Sequence, residues 1–249
     1  MHSHANLSDV TADQIRKHRT RLGLNREQLA EECARLGAPE LTYAAITNIE
    51  TGRRDKDGKR RREVTIDELM TFAYALGVPP MLLMLPLGSI DTVPSPARWG
   101  GLHPHYLWRW ITGEEPPAYR GEDGKTYADG SNIGSDAGPD RLEIWQRVSV
   151  PAEVYRSLQT TQAALTKASN DHHFAQARHG EDAKQTRAAR GVYLDRLQEF
   201  AAVLNEMTEL GLRIPACRPK WVNDMRQFEM LSRPEAVQIF EPKNEEGGE

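Results

Sequence analysis

The chain has 249 residues, 39% of them hydrophobic and 27% charged, and its formal net charge is −4. No apolar run approaches the roughly 18 residues that a membrane span requires, and the N-terminal stretch MHSHANLSDV has neither the basic start nor the apolar core of a secretory signal. We therefore exclude a membrane protein and expect a cytoplasmic one, in which Cys33 and Cys217 are reduced thiols.

Residues 9–88 have the pattern of five short helices. Each of the first four begins near a residue that caps helix N-termini well, and apolar residues then recur at helical spacing. Glycine follows the first, third and fourth helices, where its left-handed conformation can end a helix. The expected N-caps are Thr11, Asn25, Thr42 and Thr65, and a fifth helix starts at Pro79 or Pro80.

The helical spacing also predicts which residues of this region face a core. In the first helix, Ile15, Arg19 and Leu22 lie along one face, and in the third helix Ala45, Ile46 and Ile49 point inward. The fourth helix has the longest apolar face, made of Ile66, Leu69, Met70, Phe72, Ala73 and Leu76.

A basic strip runs from Arg53 to Arg62. Seven basic residues stand there against Asp55 and Asp57, so the local charge is +5 in a chain of net charge −4. The strip is either one face prepared for an anion or a solvated loop.

Three stretches of this region carry a family resemblance: IRKHRTRLGLNREQLAE, LTYAAITNIETGRR and TIDELMTFAYALGVPPMLL. Together, residues 11–85 resemble the lambda-repressor-like, or XRE, family of helix-turn-helix DNA-binding domains. The matching features are the Leu-Gly-Leu before the second helix, its Gln-Leu-Ala, the Ile-x-x-Ile-Glu-x-Gly-Arg of the third helix and the Ala-Leu-Gly-Val-x-Pro after the fourth. The resemblance implies a five-helix domain whose third helix enters the major groove of DNA.

The resemblance places base-reading residues on the outer face of the third helix, at Tyr43, Ala44, Thr47 and Asn48. Asn48 suits adenine, and Ala44 or Thr47 suits the methyl group of thymine. Tyr43 reaches either a base or a phosphate. The resemblance also implies a partly buried ion pair between Arg19 and Glu50 that braces the third helix against the first.

Phosphate contacts are expected on both sides of that helix. Asn25 and Arg26 begin the second helix, whose free N–H groups and dipole favour an anion. The strip through Arg62 extends the edge beyond the third helix as a small wing. The remaining candidates are Thr42, Arg53, Arg54, Lys59, Arg60, Arg61 and Arg62.

Two connections depart from the family pattern. The stretch CARLGAPEL adds about six residues between the second and third helices, so that either the second helix is longer or the turn bulges. The stretch RDKDGKRRREV lengthens the link between the third and fourth helices and adds basic residues to it.

Residues 89–141 are rich in proline and glycine and are expected to form a partly disordered linker. The aromatic residues Trp99, Tyr106, Trp108 and Trp110 are more than a solvated linker needs. We expect them to pack either on the DNA-binding domain or on the helical region that follows. Neither His103 with His105 nor the later histidines complete a metal site.

Residues 142–231 are predicted to be helical. Val154, Leu158, Thr161, Leu165 and Ala168 follow steps of four and three, and so do Tyr193, Leu197, Phe200, Leu204 and Met207. This spacing is typical of an antiparallel hairpin or a coiled coil, and pairing with a second copy would bury more of it. A last helix is expected from Lys220 to Leu231, with Trp221, Met225 and Phe228 on one face, before an acidic tail at 232–249.

The fold class expected is therefore mostly α, with the helix-turn-helix domain, the linker and a C-terminal helical region. The function expected is a bacterial or phage-type transcriptional regulator that binds double-stranded operator DNA as a homodimer in the nucleoid, with the C-terminal helices dimerising the chain or meeting a small-molecule or protein effector. No catalytic motif, cofactor or metal site is recognised. The alternative is a protein-interaction module, such as an antitoxin or scaffold.

Overall fold

The computed structural model describes residues 6–58, 60–94, 101–116, 119–120, 126–127 and 140–240. These residues are mostly helical, which confirms the mostly α part of the predicted class. The chain forms two compact units, residues 1–146 and residues 147–249. Within the described ranges, no helix combines the length and hydropathy that crossing a lipid bilayer requires.

Five helices open the first unit. Three of the four predicted N-caps are confirmed, because the side chains of Asn25, Thr42 and Thr65 each accept a hydrogen bond from the amide three residues later. Gly52 and Gly77 end the third and fourth helices in the left-handed conformation, as expected. The helices are α1 (Leu7–Arg21), α2 (Arg26–Arg35), α3 (Tyr43–Thr51), α4 (Ile66–Leu76) and α5 (Pro80–Met84).

The start of α1 differs from the prediction. Asn6, rather than Thr11, is its N-cap, and the Asn6 side chain accepts from the amide of Asp9 at 2.9 Å. Thr11 lies inside the helix and is buried. The helix begins earlier because Val10, fully buried, packs in a small apolar cluster with residues from later in the chain, a long-range contact that local capping signals do not register.

Fewer residues of the five helices are buried than the spacing of their apolar residues predicts. Leu69, Phe72, Ala73 and Leu76 of α4 are buried as predicted. Ile66 and Met70 of the same helix are 79% and 54% exposed, so their predicted burial is wrong. The apolar stripe of α4 is wider than the surface against which the helix packs.

The connection between α2 and α3 bulges, and α2 is not extended, since it has ten residues. Residues 36–42 form this connection, with Gly37 at φ +94° and the amide of Ala38 donating to the carbonyl of Cys33 at 2.9 Å. Leu41 is only 1% exposed and belongs to the core of the five helices. The inserted residues thus anchor the turn to the core.

Two short strands and one helix after α5 pack on the five helices. Strands β1 (Val93–Pro94) and β2 (Gly101–Leu102) pair antiparallel ahead of helix α6 (Pro104–Ile111). Tyr106, Leu107 and Trp110 of α6 pack in one cluster with Val10 and Leu85, so the aromatic segment packs on the five helices. Trp99 lies outside the described residues. Strands β3 (Tyr119–Arg120) and β4 (Thr126–Tyr127) form a second antiparallel pair.

The second unit contains a helical hairpin. It is built from α7 (Asp140–His179), which begins in the first unit, and α8 (Lys184–Glu209), and α9 (Pro219–Gln227) follows. Both predicted heptad series meet in one buried cluster, apart from the half-buried Thr161, and Trp221, Val222 and Met225 of α9 complete it. α7 runs to His179, and residues 180–183 connect it to α8. Phe228 lies beyond α9 and is 40% exposed, so its place on the buried face is also wrong.

Gly52 offers a test of how α3 is joined to the segment after it. A Cβ at Gly52 would stand 2.8 Å from Nη1 of Arg60, whereas a Cβ at Gly77, which has nearly the same φ, would meet no atom within 4 Å. Gly77→Ala should lower the free energy of unfolding by about 1 kcal/mol, the cost of the left-handed conformation. Gly52→Ala should cost about 1–2 kcal/mol more, because a charged hydrogen bond of Arg60 must lengthen.

Urea unfolding of the two variants beside the wild type measures this difference. Equal losses of stability in both variants would show that Arg60 does not hold the position that we assign to it.

Candidate nucleic-acid interface

Helix α3 has one buried and one exposed face. Ala45, Ile46 and Ile49 lie in the core, as predicted. On the opposite side, Tyr43 is 47% exposed, and Ala44 and Asn48 are also exposed. Thr47 is half-buried, and its hydroxyl oxygen is buried without a hydrogen-bond partner among the described residues. Thr47 can therefore present its methyl group, but not its hydroxyl, to a ligand.

A buried carboxylate holds α3 in place. Glu50, whose side chain is fully buried, accepts from Nε and Nη2 of Arg19 at 2.6 and 2.9 Å and from Nε of Arg26 at 2.8 Å. Nη1 of Arg19 also donates to the carbonyl of Leu24 at 2.7 Å. The ion pair expected between Arg19 and Glu50 is thus present, and the hydrogen bond to Glu50 raises the pKa of Arg19.

Arg26 is the part of this network that the sequence did not reveal. We expected Arg26 to contact phosphate, and its side chain is 29% exposed, but its Nε is committed to Glu50. The network joins the last turn of α1, the first turn of α2 and the last turn of α3. It therefore fixes the angle between α2 and α3, on which any docking of α3 depends.

A second buried carboxylate organises the basic strip. Asp9 of α1 accepts from Nη1 of Arg60 at 2.8 Å and from Nη2 of Arg54 at 3.0 Å. Arg60 also donates to the carbonyls of Ile49 and Arg62. Its side chain is only 2% exposed, so the expectation that Arg60 contacts phosphate is wrong. Arg60 instead ties the strip to α1 and to the end of α3.

Residues 53–58 and 60–61 form a small hairpin, which we call the basic hairpin. Arg54 and Arg60 form an antiparallel bridge, and the amide of Arg61 donates to the carbonyl of Arg53 at 2.8 Å. At the turn, the amide of Gly58 donates to the carbonyl of Asp55 at 3.2 Å. Lys59 lies outside the described residues. The arrangement matches the small wing expected beside the third helix.

The cations of the basic hairpin fall into two groups. Arg53, Lys56 and Arg61 are exposed and make no side-chain hydrogen bond or ion pair with another described residue. Arg54 is 44% exposed but bonds Asp9, and Arg62, which follows the hairpin, pairs with Glu68. Lys56 belongs to the basic strip but is not among the phosphate contacts that the sequence predicts. Arg53, Lys56 and Arg61 are the charges available to an anion.

The N-termini of α2 and α3 are also open to solvent. Asn25 is exposed, and its Oδ1 accepts from the backbone N–H of Gln28 at 2.8 Å. In return, Oε1 of the Gln28 side chain accepts from the backbone N–H of Asn25. Thr42 is exposed and caps α3 through the amide of Ala45 at 3.3 Å. In each cap one side-chain oxygen acts as the acceptor. The side-chain NH2 group of Asn25 and the hydroxyl proton of Thr42 therefore remain available as donors.

The described residues contain no group of three or more His, Cys, Asp or Glu side chains that suits a metal ion. Burial raises the pKa of the Cys33 thiol and that of the Cys217 thiol to about 11 in each case. Both thiols therefore stay protonated and weakly nucleophilic at neutral pH.

No family model, no curated protein and no solved structure matches this chain.

The Glu50 network leads to a stability prediction. Glu50→Gln removes the charge that neutralises Arg19 and Arg26 and should lower the free energy of unfolding by about 3 kcal/mol, since it leaves two partly buried guanidinium groups without their counter-ion. Glu32→Gln is the matched control, because Glu32 pairs with Arg35 on the surface of α2. Surface pairs of this kind contribute little.

Thermal unfolding followed by circular dichroism provides the measurement. We expect a clear drop in the Tm of Glu50→Gln and an almost unchanged Tm for Glu32→Gln. A Glu50→Gln variant as stable as the wild type would mean that the network does not brace α3.

Proposed function

We propose that this protein is a sequence-specific DNA-binding transcriptional regulator. The observation that carries the proposal is the exposed face of α3 with Tyr43, Ala44 and Asn48, beside the unpaired cations of the basic hairpin. The packing of the buried face of α3 and the Glu50 network hold this surface rigid. A rigid surface favours sequence-specific binding over non-specific binding.

The base-reading step follows from the dimensions of the major groove, which admits one α-helix. Asn48, in the second turn of α3, offers an amide that pairs with the N6 and N7 edge of adenine. Ala44 and the methyl group of Thr47 offer apolar contacts for the thymine methyl. Tyr43, in the first turn, meets a base edge or a phosphate.

Phosphate contacts position the helix without specifying sequence. Arg53, Lys56 and Arg61 are proposed to lie along one backbone edge of the groove, and the N-terminus of α2 with Asn25 is proposed to meet the other. Each contact displaces condensed counterions, so binding should weaken as salt rises.

A single α3 with few polar readers covers too little sequence for operator selectivity, so we propose that two copies bind together. Their half-sites would lie about 10 base pairs apart, or a multiple of that distance. The second unit buries its helical seam within one chain, so the dimer contact would use another surface.

A mobility-shift assay on random genomic fragments at near-physiological salt tests the proposal. A sequence-specific regulator retards a few fragments strongly, and a non-specific binder retards all of them. If no fragment is retarded, the proposal fails and the chain is better explained as a protein-interaction module.

Asn48→Ala should weaken binding to a retarded fragment by about 1–3 kcal/mol while leaving binding to competitor DNA nearly unchanged, because it removes a base contact and no charge. Asn223→Ala is the matched control, since Asn223 is an exposed asparagine on α9. Fluorescence anisotropy with both duplexes measures the two affinities. If Asn48→Ala bound the specific duplex with unchanged affinity, α3 would not be the helix that contacts the bases.

Arg61→Ala should weaken binding to specific and competitor duplexes alike and reduce the slope of log K against log salt by about 1, because one phosphate contact is lost. Its thermal stability should equal that of the wild type, since Arg61 is exposed. Arg60→Ala should instead lower the Tm, because Arg60 bonds Asp9 in the interior. A salt slope of Arg61→Ala equal to that of the wild type would contradict the contact.

A further inference from the structure

A cavity of about 390 Å³ lies in the second unit, where the end of α7, the start of α8 and α9 meet. Its volume falls within the range of about 300–1,000 Å³ that is typical of small-molecule sites. Its base is formed by Tyr193 and Thr186, which are buried, and by the half-buried His172.

The base of the cavity is an ordered surface, and Nζ of Lys220 lies over the Tyr193 ring, 4.6 Å from its centroid. The rings of His172 and Tyr193 are stacked, with centroids 5.8 Å apart and an interplanar angle of 17°. Oδ2 of Asp224 accepts from the Tyr193 hydroxyl at 2.5 Å and from Nζ of Lys220 at 2.6 Å. The Asp224 charge is therefore neutralised in place, and Tyr193 cannot turn away.

Positive charge lies beside this surface without a partner. Arg187 and Arg190 line the cavity, are exposed, and make no hydrogen bond or ion pair with another described residue. Burial, followed by the charges of Lys220 and Arg190, lowers the pKa of His172. This part of the cavity thus combines a neutral imidazole with two unpaired guanidinium groups.

Two further features limit the ligand. Glu181 and Asp182, on the connection between α7 and α8, also line the cavity and disfavour ligands that carry several negative charges. Leu194 and Phe228 supply apolar surface. A ligand suited to this lining has one negative charge and a flat apolar body.

We propose that this cavity binds a small aromatic monocarboxylate. Its carboxylate would pair with Arg187 and Arg190, whose planar guanidinium groups match carboxylate geometry. Its ring would lie against His172, with Leu194 and Phe228 beside it. The site goes beyond the proposed DNA binding and does not depend on it, because every residue involved belongs to the second unit.

The test is an NMR titration of the full-length chain with benzoate, using benzamide as the uncharged probe of the same shape. We expect saturable shifts of the His172 imidazole and Tyr193 ring signals with benzoate at millimolar concentration. Benzamide should bind about tenfold more weakly, because it lacks the charge. The absence of saturable benzoate shifts at these rings, or equal binding of the two probes, would overturn the proposal.

The double variant Arg187→Gln/Arg190→Gln should weaken benzoate binding at least about tenfold, since two charged hydrogen-bond donors are lost. Arg196→Gln is the matched control, because Arg196 lies on the same helix, pairs with Glu199 and is not part of the lining. It should bind benzoate like the wild type. Wild-type affinity in the double variant would overturn the assignment of the carboxylate end, whatever the outcome of the DNA-binding assays.

Discussion

The architecture of the first unit depends on a carboxylate removed from water. The side chain of Glu50 has no exposure to solvent, and a buried charge without counter-ions would destabilise the fold. Arg19 and Arg26 supply the counter-ions from two other helices. Because both arginines bond the same carboxylate, the network holds α1, α2 and α3 together in the arrangement that exposes Tyr43, Ala44 and Asn48.

A second buried carboxylate shapes the basic strip in the same way. Asp9 draws Arg60 and Arg54 inward, and Arg60 carries the strip onto the end of α3. The strip is therefore neither a uniformly solvated loop nor a uniformly anion-binding face. Some of its charges hold the hairpin in place, and Arg53, Lys56 and Arg61 remain free for a polyanion.

Local chemistry explains what the sequence predicted well. Helix ends depend on hydrogen bonds and backbone angles that involve only neighbouring residues. The sequence therefore predicts correctly the boundaries at Asn25, Thr42, Thr65, Gly52 and Gly77. The heptad series of α7 and α8 was also readable, because its period is set by the helix itself.

The failures involve partners that are distant in sequence. Nothing near Arg60 distinguishes it from Arg61, since its partner Asp9 is 51 residues away. Arg26 likewise bonds Glu50, which is distant in sequence, and Val10 packs with Leu107 of α6. The cavity of the second unit is also lined by residues from three different helices. Sequence periodicity located the elements, whereas the division of charged residues into structural and available ones required the packed structure.

We propose that the exposed face of α3 reads DNA sequence. Selection of binding sites from genomic DNA at near-physiological salt, followed by sequencing, tests it most directly, with Asn48→Ala selected in parallel. We expect an enriched two-fold symmetric motif for the wild type, with half-sites about one helical turn apart, and a relaxed preference at one position of each half-site for the variant. No enrichment for the wild type, or the same motif for both proteins, would contradict it.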